Sequence, residues 1–436
     1  MGNLNVIILA GGISSRFWPL SEKNSYPFLG KTNIQLHLEG LQKVGFPIKK
    51  FLVTNPDFDP GYKDVIRLIQ IGSGMAGGVK TALDEINKDE EVLVLNANDY
   101  FESSLFENFT KIRSECYSNN HSMIVGYKTQ KYFPGGYLET DNGFIKNIVE
   151  KPGDRNTPSD YVNIVFHYFP KAGVLLENIN SSKSEKDDLY EVSISNMMKS
   201  GYKFKMLEYR GKWTTIKYPW HVLDIMDYFL KTLKGQKISK SAQIANGTHI
   251  KGDVLIKNGV KIFEGAIING PVYIGKNSII ANNALVREAI IGENCVIGFG
   301  TEVARSYFKS NVWLHKNYVG DSVLENNISL GSNTVTGNLR LDEQNIFKDI
   351  KGDKIDTQRN KLGAIVGSDT RIGINVNLMP GVRVGSKCFI GPNVNVETDI
   401  PENKFVKVEQ RLQIIENNFD ITKTSREELK SKLQPQ

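Results

Sequence analysis

Residues Val6–Lys31 read VIILAGGISSRFWPLSEKNSYPFLGK. Val6 to Leu9 is a short apolar run with no room for a helix, so it reads as a buried parallel strand. Gly11 and Gly12 follow at once, then Ser14, Ser15 and Arg16. Glycines after a buried strand let the backbone turn sharply and bring several N–H groups to one point, which suits phosphate. Arg16 adds a cation whose planar fork matches phosphate oxygens. Alone, the Gly-Gly pair is equally a β–α turn beside a surface arginine.

Outward from this stretch, short apolar runs alternate with helical patterns to about residue 232. Val6–Leu9, Phe51–Thr54, Val92–Leu95, Ser122–Gly126 and Asn163–Tyr168 read as strands. Ile34–Val44 and Val79–Ile86 carry apolar residues at helical spacing. Such alternation predicts an α/β doubly wound, Rossmann-like sheet with ligands beyond its strand ends.

From Ile238 the rhythm changes. Aliphatic residues recur every sixth position from Ile238 through Ile244, Ile250, Ile256, Ile262, Ile268, Ile274 and Ile280 to Val286, and again from Val366 to Val396. A six-residue period is neither helical nor simple alternation; it marks a parallel β-helix of hexapeptide repeats. Residues 304–364 lose the period and read as an irregular insertion. The expected organisation is therefore a first domain over 1–232, a β-helix over 237–408 and a polar tail over 409–436, in which Ser425–Leu433 reads as a short amphipathic helix.

The 436 residues carry 54 Lys and Arg against 48 Asp and Glu, with no basic block. That mild excess gives no reason to expect a nucleic-acid partner. No apolar run approaches the roughly 20 residues of a membrane span. The chain opens directly into a strand, with no secretory signal. Cys116, Cys295 and Cys388 are far apart and lack metal-ligand spacing. They read as buried thiols of a cytoplasmic protein.

The first-domain string resembles the opening of the sugar-1-phosphate nucleotidylyltransferases, with Phe17–Ser21 most like the mannose-1-phosphate guanylyltransferase branch. The resemblance implies transfer of a nucleotidyl group from a nucleoside triphosphate to a sugar 1-phosphate, with Mg²⁺. It implies that Gly11, Gly12, Arg16, Gly74 and Ala76 bind nucleotide, the last two within Ile71–Ala82, which is similar to the family's Gly-Thr-Ala-Gly segment. Asp99, at the end of an apolar strand, is then the Mg²⁺ ligand. Gly136, Glu150 and Lys151 (from a hairpin ending Val-Glu-Lys-Pro) and Asn163 hold the sugar phosphate. Two departures stand out. The family's lysine after a proline is absent from Ser25-Tyr26-Pro27-Phe28; Lys23 and Lys31 lie nearby, and Lys23, on the Arg16 side of the loop, is the expected catalytic substitute. The family pattern Trp, then Asp-Ile/Val-Gly, reads Trp213-Thr-Thr215-Ile216-Lys217 here, so Thr215 occupies the place of the second metal carboxylate.

Residues His315–Asp321, Thr336–Asp342 and Arg359–Gly367 resemble the acetyltransferase half of bifunctional, especially archaeal, sugar-phosphate enzymes. The resemblance implies a left-handed β-helix, a homotrimer, acetyl-CoA as co-substrate, His315 as general base, and Tyr318 and Asn338 as positioning groups. The competing reading is a weakened paralogue that binds sugar nucleotide as a regulatory or scaffold subunit.

Overall fold

The computed structural model describes residues 3–129, 132–418 and 426–432. The first domain orders its elements as β1 (Leu4–Ala10), α1 (Asn33–Gln42), β2 (Ile48–Thr54), β3 (Ile66–Ile69), α2 (Gly74–Leu83), β4 (Glu91–Asn96), β5 (Asp99–Phe101) and α3 (Ser104–Ser118). It continues with β6 (Ser122–Lys128), β7 (Gly136–Asp141), β8 (Phe144–Glu150), β9 (Tyr161–Phe169), α4 (Ala172–Ser181), α5 (Leu189–Lys199), β10 (Phe204–Tyr209), β11 (Trp213–Thr215) and α6 (His221–Lys231).

Nine strands form one sheet in the order β3-β2-β1-β4-β9-β6-β10-β8-β7. The alternation of β1 explains its two covered faces. Val6 and Ile8 point to the layer of α1 and α3, and Ile7 and Leu9 to that of α2, α4 and α5. β1 lies parallel to both β2 and β4, so Ala10, Thr54 and Asn96 end on one edge, where the glycine loop begins. The sheet is mixed: β9 runs antiparallel to both β4 and β6. The β7–β8 hairpin turns on Asn142 and Gly143, both at positive φ (48° and 79°), as a two-residue hairpin loop requires.

The second domain is built of three parallel sheets of eight, nine and eight strands. Each strand pairs with the strand one coil on, 18 residues away for Val254 and Val272. The period-six residues, among them Ile256, Ile262, Ile268 and Ile274, fill the interior. Asn277, Asn283, Asn294, Asn311, Asn327 and Asn333 recur at positive φ. Asparagine tolerates that conformation, and so serves the corners.

The expected interruption over 304–364 is narrower. Coils continue to Thr336, and the excursion spans only the residues between Val335–Thr336 and Ile365–Val366, including a hairpin of Phe347–Ile350 and Asp353–Asp356. The period fades earlier because the coils shorten: Ile290 pairs with Tyr307, 17 residues on, and Tyr307 with Val323, 16 on. In the tail, Arg426–Lys430 is helical; Ser425 and Leu433 lie outside the described residues.

The domains meet through a buried cluster. Phe17, Leu20, Tyr26 and Phe28 from the loop after β1 join Trp220, which precedes α6, and Leu223 of α6 against Tyr273, Ile290, Tyr307 and Val323, the outward residues of one β-helix sheet. Phe28 stacks on Phe229 with centroids 5.4 Å apart and meets Tyr100 edge-on. Among the described residues no helix is long and apolar enough to cross a membrane.

Candidate active sites

A cleft of about 890 Å³ opens at the carboxyl ends of β1 and β4, lined by Gly11, Gly12, Asn24, Gly74, Met75 and Asn98 among others. Two contacts explain the glycines. A Cβ on Gly11 would come within 1.9 Å of Gln70 Oε1, and one on Gly74 (φ +65°) within 2.1 Å of Asp187 Oδ1. Gln70 Nε2 donates to the carbonyls of Gly72 (3.1 Å) and Gly74 (2.9 Å), tying the second glycine loop to the first. Ala76 is buried in α2 and does not line the cleft; it supports the helix against the sheet.

The segment after Arg16 turns in a 3-10 helix at Lys23–Ser25. Glu22 caps it, accepting from Asn24 N (2.9 Å) and Asn24 Nδ2 (2.8 Å), and Asn55 Nδ2 donates to the other oxygen of Glu22 at 3.3 Å. The turn places Lys23 Nζ 4.0 Å from where a Gly12 Cβ would stand. Burial lowers the Lys23 pKa; Glu22 and Asp99 oppose this and Arg16 adds to it. Ser14 Oγ, Asn24 Oδ1 and Asn98 Oδ1 are buried with no hydrogen-bond partner among the described residues.

Tyr26, at the family's lysine position, points away from the cleft. It is fully buried between the domains, with its ring edge-on to Phe17 and 4.4 Å below Lys309 Nζ. The loop therefore uses this position as an anchor, and Lys23 is the cation left over the glycines.

Asp99 is buried and pairs with Thr215 across the β5–β11 ladder. Burial pushes its carboxyl up to about 7, against the Thr215 and Trp213 side chains and the charge of Lys23. Among the described residues no three His, Cys, Asp or Glu side chains converge on a metal position. Mg²⁺ demands near-octahedral oxygen ligands. One carboxylate facing a hydroxyl and an ammonium does not fit a resident ion, so the ligand role expected of Asp99 is not supported.

On the sugar side, Gly136 faces Glu150 across the hairpin, and a Cβ there would come within 2.7 Å of Glu150 Oε1. Burial raises the Glu150 carboxyl, with Lys151 opposing. Asn163 Oδ1 lies 2.8 Å from His167 Nε2, while Tyr190 Oη lies 3.1 Å from His167 Nδ1. Nε2–H donating to Asn163 leaves Nδ1 to accept from the tyrosine, and the Asn163 amide N–H groups remain for a ligand. Lys217, two residues beyond Thr215, escapes a reading of the sequence that stops at the lost aspartate. Burial lowers its pKa, and Arg16 and Lys151 act in the same direction.

In the β-helix, Asn338 Nδ2 donates to Tyr318 Oη (3.3 Å) and Asp321 Oδ2 (2.5 Å). Arg305 grips Asp321 with two bonds of 2.8 and 2.7 Å. Tyr318 and Asn338 are thus brought together. His315 is exposed on a neighbouring corner, fixed through its backbone to Asn317 (2.8 Å) and Thr301 (2.7 Å). Among the described residues its imidazole makes no hydrogen bond to either.

A family model for nucleotidyl transferases matches residues 5–216, and one for the bacterial transferase hexapeptide (six repeats) matches 363–398. The chain is 30% identical over 442 aligned positions to the bifunctional protein GlmU of Methanococcus vannielii, covering 95% of this chain and 100% of that one. It is 29% identical over 422 positions to the bifunctional sugar-1-phosphate nucleotidylyltransferase/acetyltransferase of Sulfurisphaera tokodaii, covering 93% and 100%. A solved UDP-glucose pyrophosphorylase from Acinetobacter baumanii aligns with a TM-score of 0.45 at 15% identity, over 53% of this chain and 95% of that one.

Proposed function

This chain belongs to the family of bifunctional sugar-1-phosphate nucleotidylyltransferase/acetyltransferases that includes GlmU, and from that premise we propose that its first domain joins a nucleoside triphosphate to a sugar 1-phosphate. The observation that carries this reading is Lys23 Nζ standing over Gly12 at the mouth of the glycine-lined cleft. An oxygen of the sugar phosphate attacks the α-phosphorus in line, that P–O bond forms, and the bond to the β-phosphate breaks to release pyrophosphate. The protein contributes position and charge. The N–H groups of Gly11 and Gly12 and the Arg16 guanidinium hold the triphosphate. Lys23 supplies the charge that the Tyr26 position no longer gives. Gly136 and Gly74 keep the walls open, Glu150 and Asn163 take sugar hydroxyls, and Lys151 takes the sugar phosphate. Mg²⁺ arrives with the triphosphate; no resident ion is assigned to Asp99.

The second domain transfers an acetyl group from acetyl-CoA to an amino-sugar 1-phosphate. His315 takes the amine proton as nitrogen attacks the thioester and the CoA thiolate leaves, while Tyr318 and Asn338 orient the substrate. The exposed Trp313 and Phe299 near His315 are the apolar surface on which we place a trimer interface. The three buried free cysteines fit a reducing, cytoplasmic setting.

A grid of nucleoside triphosphates against sugar 1-phosphates, read as pyrophosphate release, tests the first activity. Thiol release from acetyl-CoA with glucosamine or galactosamine 1-phosphate tests the second. Binding of nucleotide sugar without any turnover would instead support the regulatory reading.

A further inference from the structure

The sheet order divides the nucleotidyl cleft in two. The residues assigned to the sugar, Gly136 on β7, Glu150 on β8 and Asn163 on β9, lie on one side of β1, and β2 and β3 lie on the other. With the phosphates on the Gly11–Gly12 loop after β1, the nucleoside is left the β2–β3 end. The cleft is lined there by Asn55 and Pro56, which follow β2, and by Gln70 and Gly72, which follow β3.

The polar side chains at this end are already engaged. Asn55 Nδ2 donates to Glu22 Oε2 at 3.3 Å, and Asn55 Oδ1 accepts from Asp57 N at 3.0 Å. Gln70 Nε2 is spent on the carbonyls of Gly72 and Gly74. What this end offers a nucleoside is therefore the shape of its wall. The Asn55–Pro56 wall is loop, so its shape depends on what holds the loop.

Arg67 of β3 holds it. Arg67 Nε donates to Thr54 Oγ1 at 3.0 Å, on the last residue of β2, and Nη1 donates to Asp59 Oδ2 at 3.2 Å. Nη2 lies 3.3, 3.1 and 3.0 Å from the carbonyl oxygens of Asn55, Pro56 and Phe58. One guanidinium thus meets every residue from Thr54 to Asp59 except Asp57, which Asn55 holds. Asp59 closes the far end by accepting from Gly61 N at 2.9 Å. A planar fork of N–H donors can span such a set of acceptors, and a point-like ammonium cannot. Arg67 itself is not among the described residues that line the cleft. Resting on the nucleotidyl-transfer reading above, we propose that Arg67 is a positioning residue of the nucleoside end, which acts on the nucleotide only through the Asn55–Pro56 wall it fixes.

The test is calorimetric titration of the full-length protein in Mg²⁺ with ATP, CTP, GTP and UTP, and separately with inorganic pyrophosphate, which has no nucleoside. Arg67→Ala should weaken binding of the triphosphate that the wild type binds most tightly by roughly 10–100-fold, the scale of misplacing a group that orients substrate. Pyrophosphate binding should not change, whereas general loss of structure would weaken both. Arg67→Lys keeps the pairing with Asp59 but cannot span the carbonyls, so it should bind triphosphate no better than Arg67→Ala does. Triphosphate binding unchanged in Arg67→Ala, equal weakening of triphosphate and pyrophosphate, or wild-type binding in Arg67→Lys overturns the proposal while leaving the nucleotidyl reading intact. A wild type that binds none of the four triphosphates overturns both.

Discussion

The Tyr26 hydroxyl donates to Oε1 of Glu325 at 2.8 Å, across 299 residues of chain and from one domain to the other. The same carboxylate oxygen accepts from Ser21 N at 3.0 Å and from the Ser21 hydroxyl. Lys309 Nζ lies 3.8 Å away and bonds Ser25 Oγ at 2.8 Å. Glu325 is fully buried. A buried carboxylate is tolerated only when its lone pairs are met; here Ser21 and Tyr26, from the loop that carries Lys23, donate to Oε1, and Ser368 N of the β-helix lies 3.3 Å from Oε2. The β-helix thus sets the position of a first-domain cation.

Glu325→Ala should therefore leave the buried Tyr26 hydroxyl and Lys309 ammonium without their acceptor. The expected cost is about 2–4 kcal/mol, read as a drop in melting temperature, and nucleotidyl transfer should fall with it. Glu325→Gln keeps an acceptor and should cost less. A chain ending at residue 236 would expose Tyr26, Phe28, Tyr100 and Trp220, all within the shared cluster. It should aggregate, as light scattering would detect; a well-behaved monomer would mean that the interface is dispensable.

Lys23→Ala should lower nucleotidyl transfer by roughly 10²–10³-fold, the usual scale for removing one preorganised charge from a transition state. Melting temperature should stay near the wild-type value, because Lys23 forms no ion pair among the described residues and its burial opposes its charge. Lys31→Ala serves as the control, since Lys31 pairs with the exposed Glu39 at 2.7 Å. A rate unchanged in Lys23→Ala would leave no cation assigned to the α-phosphate.

How much of this was legible in the sequence depended on whether the signal was local. The glycine loop and the hexapeptide period lie within a few residues of one another, so the doubly wound sheet and the β-helix could be read directly. The coils between Val303 and Thr336 escaped because corners lose a residue, and inward positions such as Val303, Phe308 and Leu314 leave the sixfold spacing. The antiparallel course of β9 was hidden because its buried face pattern is the same in either direction. Lys23 was expected from its place on the Arg16 side of the loop. The reason for Tyr26 was not, since Glu325 and Tyr307 reach it only through the fold.

Acidification should destabilise the first domain through two buried histidines, His37 and His167, and the half-buried His221. Burial lowers the pKa values of His37 and His221 to about 4 and that of His167 to about 3. The unfolded chain takes up these protons near pH 6.5 and the folded chain does not. The stabilisation from keeping each ring neutral is therefore present above pH 6.5 and is lost as pH falls from there toward 4. Each site contributes at most about 3–4 kcal/mol over that interval. His167→Phe should remove one of these penalties and flatten the decline in melting temperature between pH 6.5 and 4. It also releases Asn163, so the KM for sugar 1-phosphate should rise while the KM for nucleotide stays unchanged.

The acetyl-transfer reading makes different demands on its two halves. Asn338 spends both amide N–H groups on Tyr318 and Asp321, which leaves its Oδ1 to accept from the substrate amine. Asp321 fixes that orientation and is itself fixed by Arg305, so it acts as a positioning residue. Asp321→Asn weakens the Arg305 grip and lets the amide rotate. It should raise the KM for the amino-sugar phosphate and leave the pH dependence of turnover in place, because the base is elsewhere. His315→Ala should instead lower the rate by roughly 10²–10⁴-fold and change the pH dependence of turnover, with melting temperature and nucleotidyl transfer unchanged. Equal effects of the two variants on KM, with the pH profile intact in both, would remove His315 as the base and leave the corner without a proton acceptor.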